Sequence, residues 1–257
     1  MQDKKEKNKE LRKIREVQFH DNRYKNDQRR KLRPVYKLLL SGRNKYKKAI
    51  TRDIEGKTIL EYGCGVGSYA LQLDKLSIIT AIDISSKAVE KSKNRARKMG
   101  ANVTFEVMDC ENLEFLDNSF DLVFGSGILH HLDIARAFES IKRVLTPGGR
   151  CVFLEPLHHN PLINYFRKIT PSLRSIDEHP LNMKDLNKIC SFFENVKLSF
   201  HVFTVLLALP LTFFPGHRVI IHVLNFIDQA LFSFIPYLRR YAWVVVMELD
   251  SPHQDLG

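Results

Sequence analysis

In this chain, acids and glycines recur where apolar runs end. The sharpest instance is Ile59-Leu60-Glu61-Tyr62-Gly63-Cys64-Gly65-Val66-Gly67-Ser68, an apolar run closed by an acid and followed by three glycines at alternating positions. A backbone that must turn sharply and admit a ligand without Cβ interference requires glycine there. The helix that such a loop opens offers free N–H groups to a carboxylate or phosphate. Asp83 closes the next apolar run, where an acid accepts hydrogen bonds from ribose hydroxyls. Asp109 closes a third run and is placed for an adenine amino group, with the Cys110 N–H beside it for a ring nitrogen. The glycine loop alone is not specific, because dinucleotide-binding enzymes use a similar turn.

Two further positions carry acid–base chemistry. His130 and His131 follow a fourth apolar run, and Glu155-Pro156 ends a fifth. A histidine there acts as a proton acceptor or simply packs a pocket wall. Glu155 either orients a substrate hydroxyl or amine, or caps a neighbouring helix. The Pro-bounded stretch Thr170–Pro180 holds Arg174, Asp177, Glu178 and His179, candidate substrate contacts on a polar loop. Cys64, Cys110, Cys151 and Cys190 form no CxxC pair, so zinc-site spacing is absent, no metal is expected, and the cysteines read as reduced.

These residues need a scaffold that gathers strand ends. Strand-like runs at 58–62, 78–83, 103–108, 120–124 and 150–154 alternate with helix-like stretches, which points to a parallel sheet with helices on both faces. The clearest helix lies over 85–99, with Ser85 as N-cap and Gly100 as the left-handed residue after its end. A second runs from about 133 to 145 and stops at Thr146-Pro147-Gly148-Gly149. In open α/β folds of this kind, ligands bind at the carboxyl ends of the strands, where Glu61, Asp83 and Asp109 all fall.

Taken in order, Glu61–Gly67, Asp83, Asp109–Phe115, Asn118–Val123, Ile128–Leu132 and Arg143–Gly149 resemble the class I S-adenosylmethionine-dependent methyltransferases, most of all the branch containing the ubiquinone/menaquinone and many small-molecule enzymes. The resemblance covers roughly residues 55–156. It implies a Rossmann-like, seven-stranded, mostly parallel sheet whose last two strands, at 196–203 and 242–249, form an antiparallel hairpin. It also implies S-adenosylmethionine as cofactor, held by Glu61, Tyr62, Gly63, Gly65, Gly67, Asp83, Ile84, Asp109, Cys110 and Ser126. Glu61 would anchor the ammonium end, Asp83 the ribose, and Ile84, Asp109 and Cys110 the adenine. His130 and Glu155 become the catalytic candidates. A dinucleotide is disfavoured, because Asp109 and Pro147-Gly148-Gly149 have no counterpart role there. Gly125-Ser126-Gly127-Ile128 stands where methyltransferases of base amines and glutamine amides carry Asn/Asp-Pro-Pro-aromatic.

Composition adds an address for the charge. Of the net +11, residues 1–50 carry +12 and the remaining 207 residues −1. The arm is expected to comprise residues 1–54, with lid helices, and the methyltransferase domain residues 55–257. Met1–Arg33 is too polar to bury a core and reads as frayed helix or disorder. No secretory signal is present, so a cytoplasmic protein is expected, peripheral at a membrane. Between the last two strands, an apolar helical insertion at about 204–240 exceeds any hairpin turn, yet Pro210 and Pro215 break its first run short of a membrane span. The expectation is a small, lipophilic methyl acceptor met at a membrane surface, with nucleic acid disfavoured as partner. A catalytically silent cofactor-binding adaptor, or an RNA or protein methyltransferase recruited by the basic arm, are the alternatives. Neither the acceptor atom nor the oligomeric state is legible.

Overall fold

Runs rich in β-branched and aromatic residues, buried on both faces, have only one economical conformation, a central strand. The computed structural model describes residues 2–25 and 33–253 and places β1 at Thr58–Tyr62, β2 at Ile78–Asp83, β3 at Val103–Val107, β4 at Phe120–Ser126 and β5 at Leu145–Pro156. With β6 (Phe193–His201) and β7 (Val244–Pro252) they form one seven-stranded sheet in the order β3-β2-β1-β4-β5-β7-β6. The first five strands run parallel, and β7 is antiparallel to both β5 and β6. The Rossmann-like order reverses between β1 and β4, and a crevice opens at such a switch point.

The last two strands sit a few residues away from the expected positions. Pairing runs from Phe193↔Pro252 to His201↔Val244, and Val202, with φ +66°, turns the chain out of β6. Backbone pairing at the sheet edge, rather than apolar pattern, sets those limits.

Helices cover both faces. Helix α4 (Ser86–Met99) begins as expected, with the Ser85 hydroxyl accepting from the Ala88 N–H, and ends on Gly100 at φ +66°. Helix α5 (Ile134–Val144) is capped by Asp133 and buries Ile134, Ala137, Phe138, Ile141 and Val144, one helical stripe. With α7 (Met183–Cys190) it joins one apolar cluster, while α3 (Leu40–Ile50) and α4 join the other. Helix α6 (Pro161–Ile169) starts at Asn160, whose side chain accepts from the Ile163 N–H.

Residues Gln2–Lys25 form one helix, α1, where a frayed helix or disorder is expected. Its polar side chains find partners on the sheet's carboxyl edge, including Arg12 with Glu111, Lys13 with Asp109 and Arg15 with Asp177. Part of the expected disordered stretch, residues 26–32, lies outside the described residues. After it come α2 (Arg33–Lys37) and α3. The insertion folds as a 3-10 helix over Thr204–Leu211, helix α8 over His217–Phe234 and a second 3-10 helix over Pro236–Tyr241. Asp228, fully buried on α8, accepts from the Phe203 and Thr204 N–H groups and from the Thr204 hydroxyl, and so pins the entry of the insertion. Among the described residues, no helix is long and apolar enough to cross a membrane.

Candidate active site

The carboxyl ends of β1, β2, β4 and β5 open into a cavity of about 610 Å³, within the range that holds small molecules. Gly63, Gly65 and Gly67 form its floor. Gly63 adopts φ +71°, and a Cβ there would approach Ile128 Cγ1 to 2.6 Å, so both backbone and space demand glycine. Gly67 differs: a Cβ added to it meets no atom within 4 Å. The fold leaves that space open, and a ligand lying on the loop would fill it. An open glycine cradle of this kind fits S-adenosylmethionine.

The acids shape the loop as well as the cavity. Glu61 accepts from the Tyr69 N–H at 2.8 Å, the Ala70 N–H at 3.1 Å and the Ser68 hydroxyl. Burial outweighs these bonds and pushes its carboxyl up to about 7. Asp83 accepts from Gly65 N–H at 2.8 Å and Ser85 N–H at 2.9 Å, and burial raises its pKa too. Asp109 accepts from the Glu111 N–H at 2.9 Å and pairs with Lys13 of α1. Ile84, Cys110 and Ser126 also line the cavity. Tyr62 departs from expectation. Its ring is fully buried against Phe153, outside the cavity wall, and its hydroxyl donates to the Cys110 carbonyl. Tyr62 therefore reaches the site through the backbone of Cys110.

His130 and Glu155 form a buried pair. Glu155 Oε1 accepts from the Ile128 and Leu129 N–H groups at 2.8 and 2.9 Å, and Oε2 lies 2.7 Å from His130 Nδ1. Glu155 thus ties the backbone at the start of the short 3-10 helix Leu129–His131 to the end of β5 and lies against the imidazole. Both of its oxygens are engaged, Oε1 by the Ile128 and Leu129 N–H groups and Oε2 by His130 Nδ1. An anionic oxygen at Nδ1 favours the proton there and leaves Nε2 as the basic atom. Burial, with His131 alongside, draws the His130 pKa below its ordinary 6.5 against the opposing pull of Glu155 and Glu178.

From the loop after β5, Arg174 and Glu178 reach the cavity, whereas Asp177 pairs with Arg15 and His179 contributes a backbone bond to the His130 carbonyl at 3.0 Å. Residues that sequence reasoning did not single out complete the wall. Arg12, Lys13, Glu16 and His20 come from α1, and Glu16 binds the Ser175 hydroxyl and stands 3.1 Å from His131 Nδ1. The i,i+4 pair Glu16/His20 is their only local signature. Tyr36, Leu39, Ile163, Phe166, Arg167 and Trp243 supply the far side.

Residues 60–153 match the family model described as a methyltransferase domain, a stretch that contains the glycine floor, Asp83, Asp109 and His130. Residues 60–153, set within the Rossmann-like sheet, are thus similar to a methyltransferase domain. Among characterised relatives, it is 38% identical over 100 residues to 27-O-demethylrifamycin SV methyltransferase of Amycolatopsis mediterranei, covering 37% of each chain. It is 36% identical over 104 residues to the ubiquinone/menaquinone biosynthesis C-methyltransferase of Geotalea daltonii, covering 38% of this chain and 44% of that one. The chain spans less than half the length of these relatives. Phosphoethanolamine N-methyltransferase 1 of Haemonchus contortus, solved with phosphoethanolamine and S-adenosylhomocysteine, shares the fold at a TM-score of 0.62 and 16% identity, over 96% of this chain and 51% of that one.

Proposed function

We propose that this chain transfers a methyl group from S-adenosylmethionine to a small, lipophilic acceptor, with His130 as general base. The observation that carries the reading is the buried Glu155–His130 pair beside the glycine cradle, one carboxylate oxygen 2.7 Å from the imidazole Nδ1. When bound, the cofactor supplies an electrophilic methyl group on a sulfonium. Glu61, Asp83, Ile84, Asp109 and Cys110 are the residues that would hold it, over Gly63, Gly65 and Gly67. Most of the barrier reduction in such a displacement comes from alignment, which a cofactor held over the glycine floor beside His130 would provide. His130 Nε2 then accepts the proton of an acceptor hydroxyl or amine, a role that a depressed pKa keeps open at neutral pH.

Lipophilicity of the acceptor is argued from the insertion. Val219, Ile220, Val223, Phe226 and Phe234 of α8 are exposed on its outer side. Arg218, Arg239 and Arg240 flank them, and the only acid of residues 202–243, Asp228, is buried. Aromatic and aliphatic residues with basic neighbours suit the headgroup region of a bilayer. The face is tied to the cavity wall: Ser41 on α3 donates to Asn225 on α8 at 2.8 Å, and Asn160 at the head of α6 donates to the Tyr241 carbonyl at 2.6 Å. Peripheral attachment would bring the cavity mouth to the acceptor. Recruitment of RNA by the arm is disfavoured, since Arg12, Lys13 and Arg15 already pair with acids of the chain itself.

The test incubates the purified chain and donor labelled in its methyl group with extract separated into lipid, aqueous-metabolite and RNA fractions. Label in the lipid fraction, lost in His130→Ala, supports the proposal. Label only in RNA contradicts it.

A further inference from the structure

Two arginines stand in the cavity wall, unused by the cradle or by the base. Arg167 comes from α6 and Arg174 from the loop that follows. Arg167 donates from Nη1 to the Leu157 carbonyl at 3.0 Å and to Asn164 Oδ1 at 2.9 Å, which fixes its guanidinium beside the end of β5. Arg174 stands 6.0 Å from the Phe166 ring, with its Nε 3.3 Å from Glu178 Oε1. Its Nη1 is buried without a hydrogen-bond partner among the described residues. Burial, reinforced by the positive charge of Arg174, pulls Arg167 down to about 10. Two half-buried guanidinium groups, with Glu178 paired to Arg174 and no carboxylate paired to Arg167 among the described residues, are unfavourable as they stand. An anion relieves both the excess charge and the unpaired nitrogen.

We propose that Arg167 and Arg174 form an anion subsite for the methyl acceptor, so that the acceptor is an anionic amphiphile, a phosphate or carboxylate on an apolar body. This rests on the methyltransferase reading above and narrows its substrate class. The subsite adjoins the base, because Glu178 Oε1 lies both 3.3 Å from Arg174 Nε and 4.0 Å from His130 Nε2. An acceptor held by its anion at the arginines thus places a nearby hydroxyl or amine at His130. Phe166, Ile163, Tyr36 and Trp243 line the same cavity and suit the apolar body.

Trp243 is the only tryptophan of the chain and lines this wall, so its emission reports occupancy. Full-length protein saturated with S-adenosylhomocysteine is titrated with octyl phosphate, octanoate, octanol and inorganic phosphate. At least one of the two amphiphilic anions is expected to bind about tenfold to a hundredfold more tightly than octanol, the range of a charge-assisted hydrogen bond. Competition of inorganic phosphate with octyl phosphate assigns the group as phosphate, and preference for octanoate assigns it as carboxylate. Arg174→Gln is expected to erase the preference and Arg174→Lys to keep part of it. Arg174 is the better target, because Arg167 also supports the backbone at Leu157. Octanol binding as tightly as the anions, or no probe binding at all, overturns the proposal. So does a matching loss of S-adenosylhomocysteine affinity in Arg174→Gln, which would assign the arginine to the cofactor. Failure of the wild-type chain to bind S-adenosylhomocysteine, measured by calorimetry on the same sample, would instead refute the underlying methyltransferase reading.

Discussion

Glu155→Gln separates positioning from packing, because the amide has the carboxylate's shape. In the variant, the carbonyl of the new amide can still accept from the Ile128 and Leu129 N–H groups, as Glu155 Oε1 does in the wild type. The amide nitrogen then faces His130 Nδ1, where a carboxylate oxygen stood at 2.7 Å. A donor opposite Nδ1 forces the ring proton onto Nε2 and removes the basic atom from the cavity. The imidazolium also loses a charge-assisted hydrogen bond, worth about 1.5–3 kcal/mol. At about 1.4 kcal/mol per pH unit, the His130 midpoint, already below 6.5, drops by about one to two pH units further. Heteronuclear NMR of the imidazole nitrogens reads tautomer and midpoint together, with no acceptor needed. Wild type should show Nδ1 protonated and Nε2 free at neutral pH, and the variant the reverse. Methyl transfer, once an acceptor is in hand, should fall by about a hundredfold to ten-thousandfold, the usual contribution of a general base. An unchanged tautomer and midpoint in Glu155→Gln would refute the reasoning, as would a midpoint that rises.

Other expectations follow from the same geometry. Gly67→Ala should leave the melting temperature unchanged, because its Cβ meets no atom, yet weaken S-adenosylhomocysteine binding by tenfold or more in calorimetry; equal affinity would mean the cofactor does not lie on this loop. Gly63→Ala should instead cost about 1–3 kcal/mol in urea unfolding, from positive φ and the collision with Ile128. His201 is buried with neither ring nitrogen partnered among the described residues, and burial, with Lys45 nearby, pushes its pKa down to about 4. Its folded form is thus neutral, so its contribution is fully present above about pH 6.5 and is lost as pH falls toward 4, up to about 3 kcal/mol. Urea midpoints of wild type and His201→Gln should converge with acidification over that window, and parallel curves would exclude His201 as the cause. Phe226→Ser with Phe234→Ser should abolish co-sedimentation with anionic vesicles and leave the fold intact; wild type that stays in the supernatant would rule out the membrane role of α8.

How far the sequence reveals this arrangement depends on the distance over which each feature is determined. Ser85 and Gly100 are local signals, and both ends of α4 stand where they place them. The glycine loop is equally local, since φ and Cβ space are properties of the position itself. Glu155 is not: whether it caps or contacts substrate depends on Ile128 and Leu129, 27 and 26 residues away. The same holds for α1, whose partners lie far along the chain, Glu111 at a separation of 99 residues and Asp177 at 162. Composition reports only that α1 is polar, and polarity without visible partners resembles disorder. Arg167 and Arg174 follow the same logic, as their proximity depends on how the chain turns after α6.

The central claim is that the cavity over Gly63, Gly65 and Gly67 holds S-adenosylmethionine through Asp83. Isothermal titration of S-adenosylhomocysteine into the full-length chain and into Asp83→Ala tests it most directly. One site per chain is expected in the wild type, with an affinity at least tenfold weaker in the variant. Absence of binding to the wild-type chain, or equal affinity in the two, would contradict it.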